Sequence, residues 1–187
     1  MKTILRKTIC LILALALLTG AGLAELAPDE RADDAFIAER TQGSDYTLTS
    51  STSWKSKVVL MDWYKGGSKV LKKGKYGYLY DIKTGQYVKI KRMGGKAHAD
   101  VEPATREDTA KLKKMGYSWK RRPGILYAKG KYVACSFATQ PHGDQTISSN
   151  GFDGQFCLHM INSKTHGSDQ VDSDHQSAVK KAYNWAH

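Results

Sequence analysis

Two short runs near the carboxyl-terminal end carry the residues best suited to covalent chemistry: Pro141-His142-Gly143 and, thirteen residues further on, Cys157-Leu158-His159. A thiol and an imidazole brought together can act as nucleophile and general base in acyl transfer, the base taking the thiol proton as sulfur attacks a carbonyl carbon. Cys157 follows Asn150-Gly151-Phe152-Asp153-Gly154-Gln155, a loop whose glycines permit sharp turns and leave backbone amides open. Such amides would hold Cys157 as a thiolate and stabilise an oxyanion formed on its substrate.

The same residues admit other chemistry. Cys135 and Cys157 are the cysteines that follow residue 24, and an even pair in an oxidising compartment most simply forms a disulfide. Against that pairing, Cys135 shares one face of its strand with Val133 and Phe137, the place of a small buried hydrophobe. All six histidines lie between His98 and His187. His98-Ala99-Asp100 sets an imidazole and a carboxylate on one side of a strand, and His142, His159, His166 and His175 with Cys157 are donors enough for a tetrahedral zinc site, although their spacing matches no established zinc motif.

The elements that must position these groups follow from the hydrophobic pattern. Lys2, Arg6 and Lys7 precede an apolar stretch over residues 9–18 and small residues ending Gly22-Leu23-Ala24, the pattern of a secretory signal peptide cleaved after Ala24. That stretch is shorter than the roughly 18 to 20 residues a bilayer span needs, so no membrane anchor is expected after cleavage. The leader carries three basic and no acidic residues, which leaves 26 basic against 18 acidic residues, or +8, on the remainder. Outside the cell a surplus of that sign favours an anionic wall surface, and no zinc-finger or helix-turn-helix spacing points to nucleic acid. Residues 25–53 are poor in large apolar groups and read as a flexible linker with a marginal helix over 29–40, whereas 54–187 has the aromatic and β-branched content of one folded domain.

Within that domain the expected elements are mainly strands. Residues 57–64 form an apolar run closed by Gly66-Gly67. Alternation over 76–80 and 87–91 around the turn residues 81–85 predicts a β-hairpin with Val88 and Ile90 inward and Lys89 and Lys91 outward. Strands are expected again at 124–128 and 131–139, joined at Lys129-Gly130. Two peripheral helices are expected, one over 103–115 capped by Thr105 and one over 174–185 with Ala178, Ala182 and Trp185 on one side.

The His142-Gly143 and Cys157 runs, with their spacing and the upstream hairpin followed by Gly94-Gly95, resemble the catalytic domain of the L,D-transpeptidase family over about residues 54–182. The resemblance implies an α+β fold of mainly β content, an L,D-transpeptidase-like β-sandwich, acting without a cofactor on peptidoglycan stem peptides through an acyl-enzyme. It implies Cys157 as nucleophile, His142 as base and the Gly143 carbonyl as the group that orients His142. Transfer to an amine would make a cross-link, and transfer to water a carboxypeptidase. Gln155 stands where the family has His, Phe156 where it has Gly and His159 where it has Arg, which makes these three, with Asn162 and Ser163, the substrate-binding candidates. His98 and Asp100 belong to a segment without a counterpart in the family and are expected to line an altered pocket. A guanidinium offers a planar fork that an imidazole lacks, so capture of a substrate carboxylate should be weaker with His159. The rival expectation is a noncatalytic wall-binding module of the same fold, whose tyrosines and tryptophans stack on glycan, with Trp119-Lys120-Arg121-Arg122-Pro123 as its basic and aromatic cluster.

Overall fold

The computed structural model describes residues 52–187, so the leader and nearly all of the linker lie outside it. The domain is mainly β, with seven strands and two helices: β1 (Val58–Val59), β2 (Tyr76–Asp81), β3 (Tyr87–Gly94), β4 (Ala99–Pro103), α1 (Arg106–Met115), β5 (Arg122–Ala128), β6 (Lys131–His142), β7 (Gln155–His159) and α2 (Ser173–Ala186). The sheet runs β1-β6-β5-β2-β3-β4-β7, and a further pairing of β7 with β6 closes six of the strands into a barrel. Twelve-residue β6 makes closure possible: Tyr132 and Val133 near its start take β1 in parallel, while residues from Ser136 onward take β7 antiparallel. The mainly β content and the two helices agree with expectation, whereas the described strands form one closed sheet and not the two packed sheets of a sandwich.

Register explains the core. Leu79 lies opposite Val88 and Leu126, Leu126 opposite Val133, and Leu158 opposite Phe137 and Ala99, so one residue in two around the barrel turns inward. Those side chains are almost entirely buried, and each large one contributes roughly 1.5–3 kcal/mol by leaving water. Alternation then forces their sequence neighbours outward. On the outer face of β5 and β6 a second core of Trp54, Val58, Ile125 and Ala134 receives Val179 and Ala182 of α2.

The hairpin of β2 and β3 has the expected register, with Val88 and Ile90 buried and Lys89 and Lys91 partly exposed. Helix α1 begins at Arg106 instead of residue 103, because Pro103 belongs to β4 opposite Ile90 and the Thr105 hydroxyl accepts the Asp108 N–H at 3.1 Å. Residues 57–64 make only a two-residue strand. The carboxylate of Asp62 accepts the amides of Tyr64 (2.9 Å) and Lys65 (3.2 Å), which turns the chain and leaves Val59 and Leu60 exposed. Two elements were not among the expected strands: β4 beyond Asp100, and β7, the strand that carries Cys157 directly after the glycine loop.

Candidate active site on the outer barrel wall

Cys157 projects from the outer face of the barrel. Its partners in the ladders are Asp100 on β4 and Ala138 on β6, while its neighbours Phe156 and Leu158 fill the interior. The same parity places Ser136 and His159, which pair with each other, on the outer face. Helix α2 closes over this wall, and its first turn is fixed by Asp172, whose carboxylate accepts the His175 N–H at 2.8 Å.

The imidazole that meets the thiol is therefore that of His175. Its Nε2 stands 3.9 Å from Cys157 Sγ and its Nδ1 2.9 Å from the Ser136 hydroxyl, all three groups being buried. In the tautomer whose Nδ1–H donates to Ser136, the Nε2 lone pair faces the sulfur. His142 is held elsewhere: its Nδ1 lies 2.9 Å from the Gln140 carbonyl, not that of Gly143, and its ring leans on Trp119 at 5.0 Å. The two runs do come together, since His142 pairs with Gln155 across the β6–β7 irregularity, but they meet through backbone. Gly154 makes that approach possible, with φ at +117° and a backbone on which a Cβ would stand 2.7 Å from the His142 carbonyl oxygen.

Charge at the site also departs from the sequence-based expectation of a thiolate. Burial pushes the Cys157 thiol up to about 11, although the amides of Ala138 and Cys157 and the charge of Arg121 pull the other way. Burial, assisted by Arg121, brings His175 down to about 3. The resting pair is thus neutral thiol and neutral imidazole. Arg121 donates to Asp172 Oδ2 at 2.8 Å and to the Trp119 carbonyl, while its buried Nε has no hydrogen-bond partner.

The remaining candidates divide sharply. His159 is stacked between His175 (ring centroids 3.6 Å apart) and His98 (4.2 Å) and is almost fully buried, so it stands in the wall of the site instead of reaching out to a carboxylate. Burial above all pulls its pKa strongly downward, and the neighbouring imidazoles and Arg121 would further disfavour a second positive charge there. Phe156 points into the barrel core against Phe137 and Phe152, which removes it as a substrate contact. Ser163 is also structural, its hydroxyl accepting the Met160 N–H at 2.9 Å, and Asn162 bridges Gln176 and Asp62 on the exposed side. His98 and Asp100 lie on the same wall as Cys157, where they join His166.

No disulfide links Cys135 and Cys157. Cys135 faces the interior opposite Gly124, Cys157 faces outward, and both are free thiols. Ser136, Arg121 and the pairing role of His175 were not assigned to the thiol from sequence; the signal for Ser136 was its even position on a strand whose odd positions are core. Comparison with family models, with curated proteins and with solved structures finds no match to this chain.

Proposed function

We propose that the domain is an exported, thiol-dependent acyltransferase acting on peptide bonds of cell-wall stem peptides, with Cys157 as nucleophile and His175 as general base. The observation that carries this reading is the 3.9 Å approach of His175 Nε2 to Cys157 Sγ, with Nδ1 anchored 2.9 Å from Ser136. Kinship with the L,D-transpeptidase domain belongs to the proposal, opposite walls of the barrel being the counterpart of that family's packed sheets. The leader-like amino terminus and the basic surplus agree with an anionic wall as the working surface.

General-base attack starts from this neutral pair and requires that substrate binding relieve the burial that makes the thiol a weak acid and the imidazole a weak base. As sulfur bonds to the carbonyl carbon, the thiol proton passes to His175 Nε2; when the C–N bond breaks, that proton leaves with the departing amine. An acceptor amine, or water, then gives its proton to His175 as it attacks the thioester carbonyl; the C–S bond breaks and His175 returns that proton to the sulfur, restoring the thiol. The free Nε–H of Arg121 is the donor best suited to the oxyanion or to a substrate carboxylate. His175 belongs to neither of the two runs that first drew attention, yet helix α2 brings it to the sulfur.

The test is intact-mass spectrometry of the full chain incubated with purified stem peptides or a carbapenem. A thioester adduct on Cys157, absent from Cys157→Ala, is expected. If no adduct forms and iodoacetamide labels Cys157 no faster than the fully buried Cys135, the enzymatic reading fails. The wall-binding module is favoured by one observation, the exposure of Trp119, Tyr117 and Tyr64; retention on sacculi without any product, equal in wild type and Cys157→Ala, would select it.

A further inference from the structure

Beside the thiol, the outer wall gathers a second set of donor atoms from His98, Asp100 and His166, all within 4.8 Å of one another. His98 is only 3% exposed, and its Nδ1 lies 2.7 Å from the Lys164 carbonyl. A carbonyl oxygen only accepts, so Nδ1 carries the proton and, in the neutral ring, Nε2 carries a lone pair. That buried Nε2 has no hydrogen-bond partner, yet it stands 3.3 Å from Asp100 Oδ1. Two acceptors held face to face repel unless a proton or a metal ion lies between them, the proton giving an ion pair and the metal a ligand site. The Nε2 of His166 is hydrogen-bonded to the same carboxylate oxygen at 2.9 Å, so in the metal-free site it carries the proton and would have to exchange it to Nδ1 on binding an ion.

These separations suit a small tetrahedral ion, whose ligands at about 2.0–2.2 Å stand about 3.4 Å apart. The His98 and His166 rings are inclined at 58°, so both planes can contain one ion. The neighbouring Cys157, His159 and His175 group lacks this property: the two imidazoles are stacked 3.6 Å apart at 13°, and nearly parallel planes share no point where a single ion could sit in both. A backbone carbonyl on the far nitrogen of His98 is the support that metal-binding imidazoles usually have. Gly95 lets the backbone pack tightly against His98, because a Cβ there, at φ +87°, would fall 2.0 Å from the His98 carbonyl oxygen. His166 is more than half exposed, which leaves a path for entry and a fourth position open to water.

We infer that His98, Asp100 and His166 form a three-ligand site for one divalent transition-metal ion of zinc type. The inference is independent of the thiol chemistry proposed above. Its test uses the full chain, purified without a histidine tag and stripped with a chelator, then titrated with Zn²⁺ by calorimetry and with Co²⁺ by absorption. One equivalent of either ion should bind, the Co²⁺ form showing the visible bands of a four-coordinate site and no thiolate-to-metal charge transfer. Asp100→Asn and the surface variant His166→Ala should weaken binding by roughly tenfold or more, and Cys157→Ala should leave it unchanged. Absence of stoichiometric binding would mean that a proton on His98 serves between the two groups, and a charge-transfer band abolished by Cys157→Ala would place the ion on the thiol. Either result overturns the site.

Discussion

At the residue scale, Cys157 and His175 meet although eighteen positions separate them, whereas the nearer-looking His142 does not make the contact. If proton transfer goes through His175, His142→Ala should keep most of the rate of adduct formation on Cys157, and His175→Ala should lose on the order of 10²-fold or more, the usual worth of a general base. Single-turnover labelling of both variants at one pH decides between them; equal losses would return the role to His142. The spacing of a Cys and a His along the chain was legible, but the face each side chain takes was not. Face is fixed by strand register, and β7 is a short strand that begins at the end of a glycine-rich loop, so no alternation long enough to reveal it precedes Cys157. One signal for His175 did exist, in Asp172 standing three residues before it as an amino-terminal cap.

At the element scale, the site depends on where the first turn of α2 sits. Asp172 both caps that turn, through the His175 N–H, and pairs with Arg121 at 2.8 Å. Asp172→Ala should cost about 1 kcal/mol through the lost cap and let the turn that carries His175 fray. Asp172→Asn keeps a capping oxygen while losing the charge opposite Arg121, so its melting temperature should lie closer to that of the wild type. Thermal melts together with hydrogen exchange of amides 173–176 separate cap from ion pair; equal shifts for the two variants would assign the effect to charge. The elements most legible in the sequence, the β2–β3 hairpin and α2, are those where alternation or capping was carried by many residues at once. Residues 57–64 misled because a single Asp62 carboxylate turned an apolar run that would otherwise continue as strand.

At the scale of the whole molecule, closing the barrel leaves polar groups buried on both sides of the wall, and each must be satisfied or held neutral. Glu102 accepts the amides of Thr146 (2.7 Å) and Ile147 (2.8 Å) and so ties down the loop between β6 and β7, while Arg92 donates to the carbonyls of Ser68, Leu71, Gly94 and Gly95. Burial and the charge of Arg121 hold His175 as a neutral ring, which links stability to pH. Its folded value of about 3 lies below the ordinary 6.5, so between those limits the unfolded chain binds more protons and unfolding is favoured as pH falls. The loss should begin near pH 6.5 and approach about 1.4 kcal/mol per pH unit for this one group, well above the range in which carboxylates titrate. His159, also held below its ordinary value by burial, adds in the same direction. Urea midpoints of the wild type from about pH 7 to about pH 4.5 should therefore fall steadily, and those of His175→Gln should fall less steeply, because one of the two rings no longer takes up a proton on unfolding. Parallel slopes for the two proteins would mean that His175 is protonated in the folded wall, and the neutral pair on which the proposed attack relies would go with it.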